Sequence, residues 1–167
     1  MCASRRNMCP FVNREPDSMN IRKLLTKDVV SLNLKGTDKE EVIEEMITLL
    51  VDAGRVENRK AAQKAIWDRE RKMSTGMQNG IAIPHGKSDC VESLVVAIGI
   101  HKTGIDFQSL DQQPAHFFIM TISPANRTGP HIQFLAEISR QLNDATTRDR
   151  ILKATNKDEV IEILAGG

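Results

Sequence analysis

The segment GIAIPHGK, residues 80–87, sets the strongest local constraint on how this 167-residue chain can fold. A short apolar run typical of a β-strand, Ile81 to Ile83, is followed directly by a proline. Pro84 has a fixed φ and no amide hydrogen, so it cannot continue a central strand, and it holds Ile83 extended. We therefore predict that the strand stops at Pro84 and delivers His85 at the rim of the sheet.

A glycine after this histidine completes the motif. Gly86 lets the backbone turn closely around the His85 ring and allows a group bound to that ring to approach main-chain amides. A histidine nucleophile needs such surroundings. A structural histidine at a strand end would match the same short pattern, because such patterns often occur by chance. Other residues must decide between these two interpretations.

A second histidine follows the pair Gly129-Pro130, which is a helix start signal. The ring of His131 should lie in the first helical turn, where unpaired amides carry partial positive charge. That field disfavours imidazolium and favours a nearby anion. Alternatively, His131 simply lies on the buried face of its helix together with Leu135 and Ile138.

The charged segment DRER, residues 68–71, also has two interpretations. A charge run is usually a solvated helix face. Arg69 could instead turn inward and bind an oxyanion or phosphoryl group with its planar guanidinium.

Other kinds of site have weaker support. His101 and His116 lie at predicted strand ends without glycine or proline beside them, and we expect them to be structural or surface residues. A zinc site of Cys90 and the histidines lacks CxxC or HxxxH spacing, so we expect no metal. Neither Ser74 nor Thr75 lies in a hydrolase elbow. No phosphate-binding GxxxxGK[ST] or GxGxxG motif occurs.

The alternation of helical and strand patterns predicts an α/β fold, a single layered domain with a mixed β-sheet flanked by helices. A capping box of Thr37 and Glu40 opens a helix that Gly54 ends. The other predicted helices are about Asn58–Lys72, His131–Asp144, Thr147–Ala154 and Lys157–Leu164. The predicted strands are Val30–Leu34, Ile81–Ile83, Leu94–Ile100 and Phe117–Ile122, with a weak edge strand near Ile105–Phe107.

Charge and composition exclude several classes of partner. The 23 basic and 22 acidic residues form no dense cluster, so we expect no nucleic-acid binding. The longest apolar run, Leu94 to Ile100, is far shorter than the roughly 20 residues of a membrane span, so we expect no membrane insertion. Three cysteines without a pairing pattern indicate reduced thiols and a cytoplasmic location. We expect residues 1–18 to be a disordered extension and residues 19–167 to form the domain.

Taken together, STGMQNGIAIPHGK, the upstream DRER and the downstream GPHIQFLAEIS resemble the enzyme IIA domain of the fructose/mannitol type in the bacterial phosphoenolpyruvate-dependent sugar phosphotransferase system. The resemblance covers about Met19 to Gly167 and implies the mannitol-type IIA fold. Within the family, STGMQNGIAIPHGK and DQQPAHFFIMTISPA look most like the free-standing nitrogen-regulatory branch. The segment SPANRTGPH and the N-terminal extension depart from that branch.

The resemblance implies a histidine phosphotransferase without a cofactor. His85 would be phosphorylated by HPr or its nitrogen-system counterpart, with His131 as the second active-site histidine and Arg69 as the active-site arginine. The protein would act as a phosphorylation-state regulator of nitrogen, potassium and carbon metabolism. Alternatively, it would pass the phosphoryl group to a IIB domain during fructose or mannitol uptake. Downstream partners would be a IIB domain, a regulated transporter or a sensor kinase.

Four further residues are predicted to bind or position the phosphoryl group. Amides near Gly86 and Lys87 would donate hydrogen bonds to it. Ser74 or Thr75, or a carbonyl group, would orient the second ring nitrogen of His85. Two other functions remain open: a binding regulator that needs no phosphorylation, and a metal-dependent hydrolase.

A donor protein would need a partly apolar rim around the reactive histidine. Met73 and Met77 are suitable adaptable contacts for such a rim, although both could equally fill the core.

Overall fold

The computed structural model describes residues 19–166, so the predicted N-terminal extension and Gly167 lie outside the described residues. The helices of the described range are α1 (Ile21–Leu24), α2 (Lys39–Asp52), α3 (Arg59–Glu70), α4 (Gly129–Asn143), α5 (Ala145–Lys153) and α6 (Lys157–Leu164). The strands are β1 (Val30–Ser31), β2 (Ile81–Ala82), β3 (His85–Lys87), β4 (Val95–Ile105) and β5 (Ala115–Ser123). Within residues 19–166, no helix combines the length and the apolar character needed to cross a membrane.

The strands form one mixed sheet in the order β1-β4-β5-β2, and β3 also pairs with β5. The two long strands β4 and β5 are antiparallel, whereas β1, β2 and β3 run parallel to the strands they pair with. β2 and β3 therefore follow one another along the same side of β5. The predicted α/β fold with a mixed sheet flanked by helices is confirmed.

Both faces of the sheet are buried. Alternate side chains of β5 point to opposite faces, so Phe117 and Ile119 belong to one core, and Phe118 and Met120 belong to the other. Helices α4, α5 and α6 cover the first face, and α2 and α3 cover the second. Burial on both faces explains why β5 is almost continuously apolar.

β2 ends at Ala82, before Pro84, as predicted, and His85 lies at the edge of the sheet, but pairing with β5 resumes after the proline, which was not predicted. The amide of Thr121 donates to the Pro84 carbonyl at 3.1 Å, and the Ser88 amide donates to the Ser123 carbonyl at 2.9 Å. Because alternate residues of a strand face its neighbour, the missing Pro84 amide removes one hydrogen bond to β5, in the gap between β2 and β3. Pairing resumes at His85, which lies opposite Thr121.

The other strand boundaries differ more modestly from the predictions. β4 continues to Ile105, beyond the predicted end at Ile100, because a register shift after Ile100 and a positive φ of 77° at Gly104 let the chain stay paired. The predicted edge strand at Ile105–Phe107 is therefore wrong, since Ile105 closes β4. β1 covers only the first two residues of the predicted strand Val30–Leu34.

The helix starts lie close to the predictions, although α4 begins at Gly129 and α5 at Ala145, each two residues earlier than predicted. The cap of α2 is Asp38, whose side chain accepts from the Glu41 amide, rather than the predicted Thr37. Thr37 instead donates its amide to Glu41 Oε2 at 2.7 Å, so the capping box uses Glu41 rather than Glu40. Asn58 caps α3 in the same way through the Ala61 amide.

Candidate active site

His85 begins β3, and its ring orientation is fixed by its own backbone neighbourhood. Nδ1 lies 2.8 Å from the carbonyl oxygen of Ile83. A carbonyl only accepts hydrogen bonds, so Nδ1 of a neutral His85 carries the proton and Nε2 carries the free lone pair. Pro84 holds Ile83 extended, which places that carbonyl beside the ring. The arrangement presents Nε2 as the nucleophilic nitrogen.

Arg69, in the last turn of α3, reaches this nitrogen. Its Nε donates to His85 Nε2 at 3.2 Å, and its Nη1 donates to the Met73 carbonyl at 2.9 Å. The second bond fixes the plane of the guanidinium beside His85. Arg69 is therefore half-buried and turned inward, not part of a solvated helix face.

The second histidine approaches from α4. His131 is the third residue of that helix, after Gly129 and Pro130, and its side chain is buried. Its ring centroid lies 5.6 Å from that of His85, with the rings inclined at 42°. His131 Nδ1 lies 3.3 Å from Thr121 Oγ1. His131 is therefore buried on its helix and also lies beside His85. A position on the buried face and a position next to an anion-binding site are thus compatible.

The surroundings of both imidazoles favour their neutral form. Burial lowers the pKa of His85, and the positive charge of Arg69 lowers it further, against the opposing effects of the Ile83 carbonyl and of Glu70. Burial also lowers the pKa of His131, with smaller contributions from His85 and Lys87. The ordinary pKa of histidine is about 6.5, so lowering it favours the neutral form of both rings at pH 7. A neutral imidazole has the lone pair that a nucleophile requires.

These residues line one cleft of about 380 Å³ between α3, β3 and the start of α4. Its lining consists of Ala65, Asp68, Arg69, Lys72, His85, Gly86, Lys87 and His131. Asp68 is paired with Lys64, so the cationic groups of Arg69, Lys72 and Lys87 dominate the local charge. The cleft therefore favours an anionic group next to His85.

Gly86 has a different role from the predicted one. A Cβ at this position would lie 2.7 Å from the Ala65 carbonyl carbon and 2.8 Å from its oxygen, so glycine lets α3 pack against β3. The strand register directs the Gly86 amide to β5, whereas the amides of His85 and Lys87 point away from β5. Of the two predicted amide donors, the Lys87 amide is the one that this register leaves free of β5.

Neither Ser74 nor Thr75 makes a hydrogen bond to His85. Ser74 Oγ donates to the Phe107 carbonyl at 2.7 Å and accepts from Lys39 Nζ at 3.2 Å. Thr75 donates both its amide and its hydroxyl to the carboxylate of Glu70. The structure therefore contradicts the prediction that either hydroxyl orients His85, and the Ile83 carbonyl has that role.

A buried polar cluster, which we call the Lys39–Glu70 network, accounts for these contacts. Lys39 Nζ lies 2.5 Å from Glu70 Oε1, and the Glu70 side chain is only 2% exposed. Lys39 also lies over the Phe107 ring, 4.7 Å from its centroid. No local pattern in the sequence marks Glu70 or Lys39 as a buried residue. The one available signal is the position of Glu70 beside Arg69, in a charged segment that is typical of a solvated helix face.

Apolar side chains are exposed near the cleft. Met73 is 63% exposed, and Ile132, next to His131, is also 63% exposed. Met77 is 43% exposed, but its amide donates to Ile81 at the start of β2, so it lies away from His85. The interpretation of the two methionines as core fillers is therefore wrong. Met73 is close to the reactive centre, because its carbonyl accepts from Arg69.

The remaining histidines lie outside the cleft, as expected. His101 is buried, and its Nε2 lies 3.0 Å from the Gly36 carbonyl. His116 is half-buried, and its Nδ1 lies 3.0 Å from the His101 carbonyl. Both are structural residues of the β4–β5 region. Within residues 19–166, no three histidine, cysteine or acidic side chains converge in a way that could hold a metal ion.

Comparison with known proteins gives consistent matches. The family model of the phosphoenolpyruvate-dependent sugar phosphotransferase system, EIIA 2, matches residues 23–166. The chain is 40% identical over 146 residues to the fructose-specific EIIABC component of Bacillus subtilis, covering 87% of this chain but 23% of that protein. It is 38% identical over 149 residues to the fructose-specific EIIA component of Haloferax volcanii, covering 89% of this chain and 97% of that protein.

Nitrogen regulatory proteins match as well. The protein from Escherichia coli K12 is 36% identical over 104 residues, which is 60% of this chain and 63% of that protein. The crystal structure of nitrogen regulatory protein IIA-Ntr from Neisseria meningitidis has a TM-score of 0.77 at 24% identity, covering 86% of this chain and 98% of that chain. Enzyme IIAMTL in its complex with phosphorylated enzyme IIBMTL from Escherichia coli has a TM-score of 0.74 at 29% identity, covering 86% and 98%.

Proposed function

Because the chain belongs to the EIIA 2 family of the phosphoenolpyruvate-dependent sugar phosphotransferase system, whose domains take a phosphoryl group on a histidine and pass it to a IIB domain, we propose that His85 is the histidine that carries this group. The observation that supports this assignment is the hydrogen bond from Arg69 to His85 Nε2 in a cationic cleft shared with His131. The donor is HPr or its nitrogen-system counterpart, and the reaction takes place in the cytoplasm.

Transfer begins with a neutral His85 whose Nδ1 proton is held by the Ile83 carbonyl. The Nε2 lone pair attacks the phosphorus of the donor phosphohistidine in line with the bond that breaks. A new N–P bond forms at Nε2, the N–P bond of the donor breaks, and the electron pair of that bond returns to the donor imidazole. Positioning of the two rings supplies much of the rate enhancement.

The chain's own donors stabilise the transferred group. Arg69 releases Nε2 and donates to phosphoryl oxygens, and His131 donates from the other side of the cleft. The Lys87 amide and side chain add positive potential at the same place. Ser74 and Thr75 stabilise the scaffold beneath Arg69 and do not contact the phosphoryl group.

The direct test is intact mass after incubation with phosphoenolpyruvate, enzyme I and HPr. Wild type should gain one acid-labile phosphoryl group, and His85→Ala should gain none. His116→Ala is the matched control, because it removes a histidine outside the cleft, and it should be labelled like wild type. Labelling of His85→Ala, or no labelling of wild type by HPr or its nitrogen-system counterpart, would contradict the proposal.

Two acceptors follow from the two groups of relatives. The identity of 38–40% to fructose-specific components over 87–89% of this chain favours a IIB domain, and hence a role in sugar uptake. The 36% identity to nitrogen regulatory protein favours a regulatory target, such as a transporter or a sensor kinase. The two acceptors can be distinguished by mixing the phosphorylated protein with a purified fructose-type IIB domain. Rapid loss of the phosphoryl group to that domain indicates uptake, and its retention indicates regulation.

A further inference from the structure

Thr121 connects the two histidines of the cleft. It lies in β5, is fully buried, and is the register partner of His85. Its side chain points to the α4 face of the sheet, the same face as those of Phe117 and Ile119. There Oγ1 lies 3.3 Å from His131 Nδ1, and that ring nitrogen is the one side-chain hydrogen-bond partner of Thr121 among the described residues.

The direction of this hydrogen bond determines the tautomer of His131. A neutral imidazole has one protonated and one unprotonated nitrogen. If His131 Nδ1 were protonated and donated to Thr121, the buried hydroxyl hydrogen would have no acceptor, which is costly. If Thr121 donates to Nδ1, both groups are satisfied and the proton of His131 is on Nε2.

The tautomer matters because His131 stays neutral. Burial, His85 and Lys87 all lower its pKa, and the start of α4 adds unfavourable positive potential for an imidazolium. A neutral ring with its proton on Nε2 presents a donor on the side away from Thr121. A ring with its proton on Nδ1 would present a lone pair there, which repels a phosphoryl oxygen.

We propose that Thr121 is a positioning residue, which donates to His131 Nδ1 and thereby fixes the ring and its Nε2–H for the group on His85. This inference rests on the proposed function of the cleft, but its structural part can be measured without any phosphorylation. The sequence gives no indication of it, since Thr121 lies within an apolar strand and ten residues before His131.

The test compares two pairs of proteins, and the members of each pair differ in the hydroxyl. The first pair is wild type and Thr121→Val, which is nearly isosteric with threonine. The second pair, with smaller side chains, is Thr121→Ser and Thr121→Ala. The His131 tautomer is measured by long-range proton–nitrogen NMR correlations at pH 7.5. Wild type and Thr121→Ser should show protonated Nε2, and the Val and Ala variants should show a mixture of tautomers.

The rate of phosphorylation by phospho-HPr is the second measurement. Loss of one positioned hydrogen bond should reduce the rate about five- to tenfold in the Val and Ala variants, and Ser should restore it. An unchanged tautomer in Thr121→Val and Thr121→Ala, or a loss of rate in Ser equal to that in Ala, overturns the inference. If the tautomer changes as expected but wild type is not phosphorylated, the positioning of His131 stands and the proposed function fails.

Discussion

Arg69 and Glu70 are neighbours in the sequence but belong to two regions with different chemistry. Arg69 lines the cleft and donates to His85 Nε2, whereas Glu70 is buried on the other side of the helix end and pairs with Lys39. The cleft contains neutral rings and cations with unused donors. The Lys39–Glu70 network contains opposite charges whose hydrogen bonds are satisfied within the protein.

This difference shows how the fold separates reactive from structural polar groups. A site that binds a transient anion needs donors that are already oriented before the anion arrives. A buried ion pair needs the opposite, because an unpaired charge in the interior is costly. The turn after α3 joins the regions, since Met73 holds Arg69 and Thr75 binds Glu70. Substitutions in the cleft should therefore affect rate, and substitutions in the network should affect stability.

The largest expected effect is on stability, in Lys39→Met. Removing the ammonium leaves the Glu70 carboxylate buried without its partner, which should lower the free energy of unfolding by about 3–5 kcal/mol. Urea unfolding followed by circular dichroism measures the change. Lys64→Met is the matched control, because Lys64 is exposed and should have no measurable effect. A stability loss in Lys39→Met as small as in the control would remove the distinction between the two regions.

Arg69→Ala should instead have a large effect on the phosphorylation rate and a small effect on stability. The loss of a preorganised donor to the phosphoryl group should reduce the phosphorylation rate about 100- to 1,000-fold. The free energy of unfolding should change much less than in Lys39→Met, because Arg69 is only half-buried. Arg71→Ala, at an exposed position just after α3, is the control and should react like wild type. An equal loss of rate in Arg71→Ala would mean that the rate depends on the total positive charge and not on the specific contact of Arg69 with the phosphoryl group.

Gly86→Ala should moderately reduce both the stability and the phosphorylation rate. Its Cβ would lie 2.7 Å from the Ala65 backbone, so α3 must move away from β3. We expect a loss of about 1–3 kcal/mol in unfolding free energy from overpacking. We also expect slower phosphorylation, because Arg69 is carried on α3. Gly129→Ala is the matched control, since a Cβ there meets no atom within 4 Å. Normal rate and stability in Gly86→Ala would contradict the close approach.

The smallest expected effect is a pH dependence of stability. The pKa values of His85 and His131 are lowered in the folded protein, so the unfolded chain binds more protons at mildly acidic pH. The stabilising contribution of these rings to the free energy of unfolding is fully present above the pKa of about 6.5 in the unfolded chain. It declines as pH falls through the pKa values of the folded protein. Urea unfolding of wild type and His85→Ala between pH 7.5 and 5 measures it. The decline should be shallower in the variant, and parallel curves would contradict the lowered pKa of His85.

The sequence was informative where local signals determine geometry. Proline and glycine beside His85 and His131 indicated two histidines at element ends, and the structure brings both together with Arg69. Their roles in phosphoryl transfer stay predictions until the labelling experiment is done. The overall mixed sheet was also predictable, because long apolar strands and amphipathic helices have distinct periodicities.

The sequence failed where distant residues determine the outcome. Ser74 and Thr75 precede the histidine motif closely, but their partners include the Phe107 carbonyl and Lys39, which are far away in sequence. β3 was missed for the same reason, since its pairing partner is β5. Buried Glu70 could not be told from its exposed neighbours, because burial depends on how α2 and α3 pack.

The hydrogen bond from Arg69 to His85 Nε2 holds the guanidinium in place while the cleft is empty. In the proposed transfer, Arg69 would exchange this neutral acceptor for an anionic phosphoryl oxygen, which is the stronger acceptor. The cost of breaking the first bond lowers the net gain from the second, so the loaded state is less strongly favoured than it would be with an unengaged arginine. A relay that both receives and releases its cargo benefits from such a reduction.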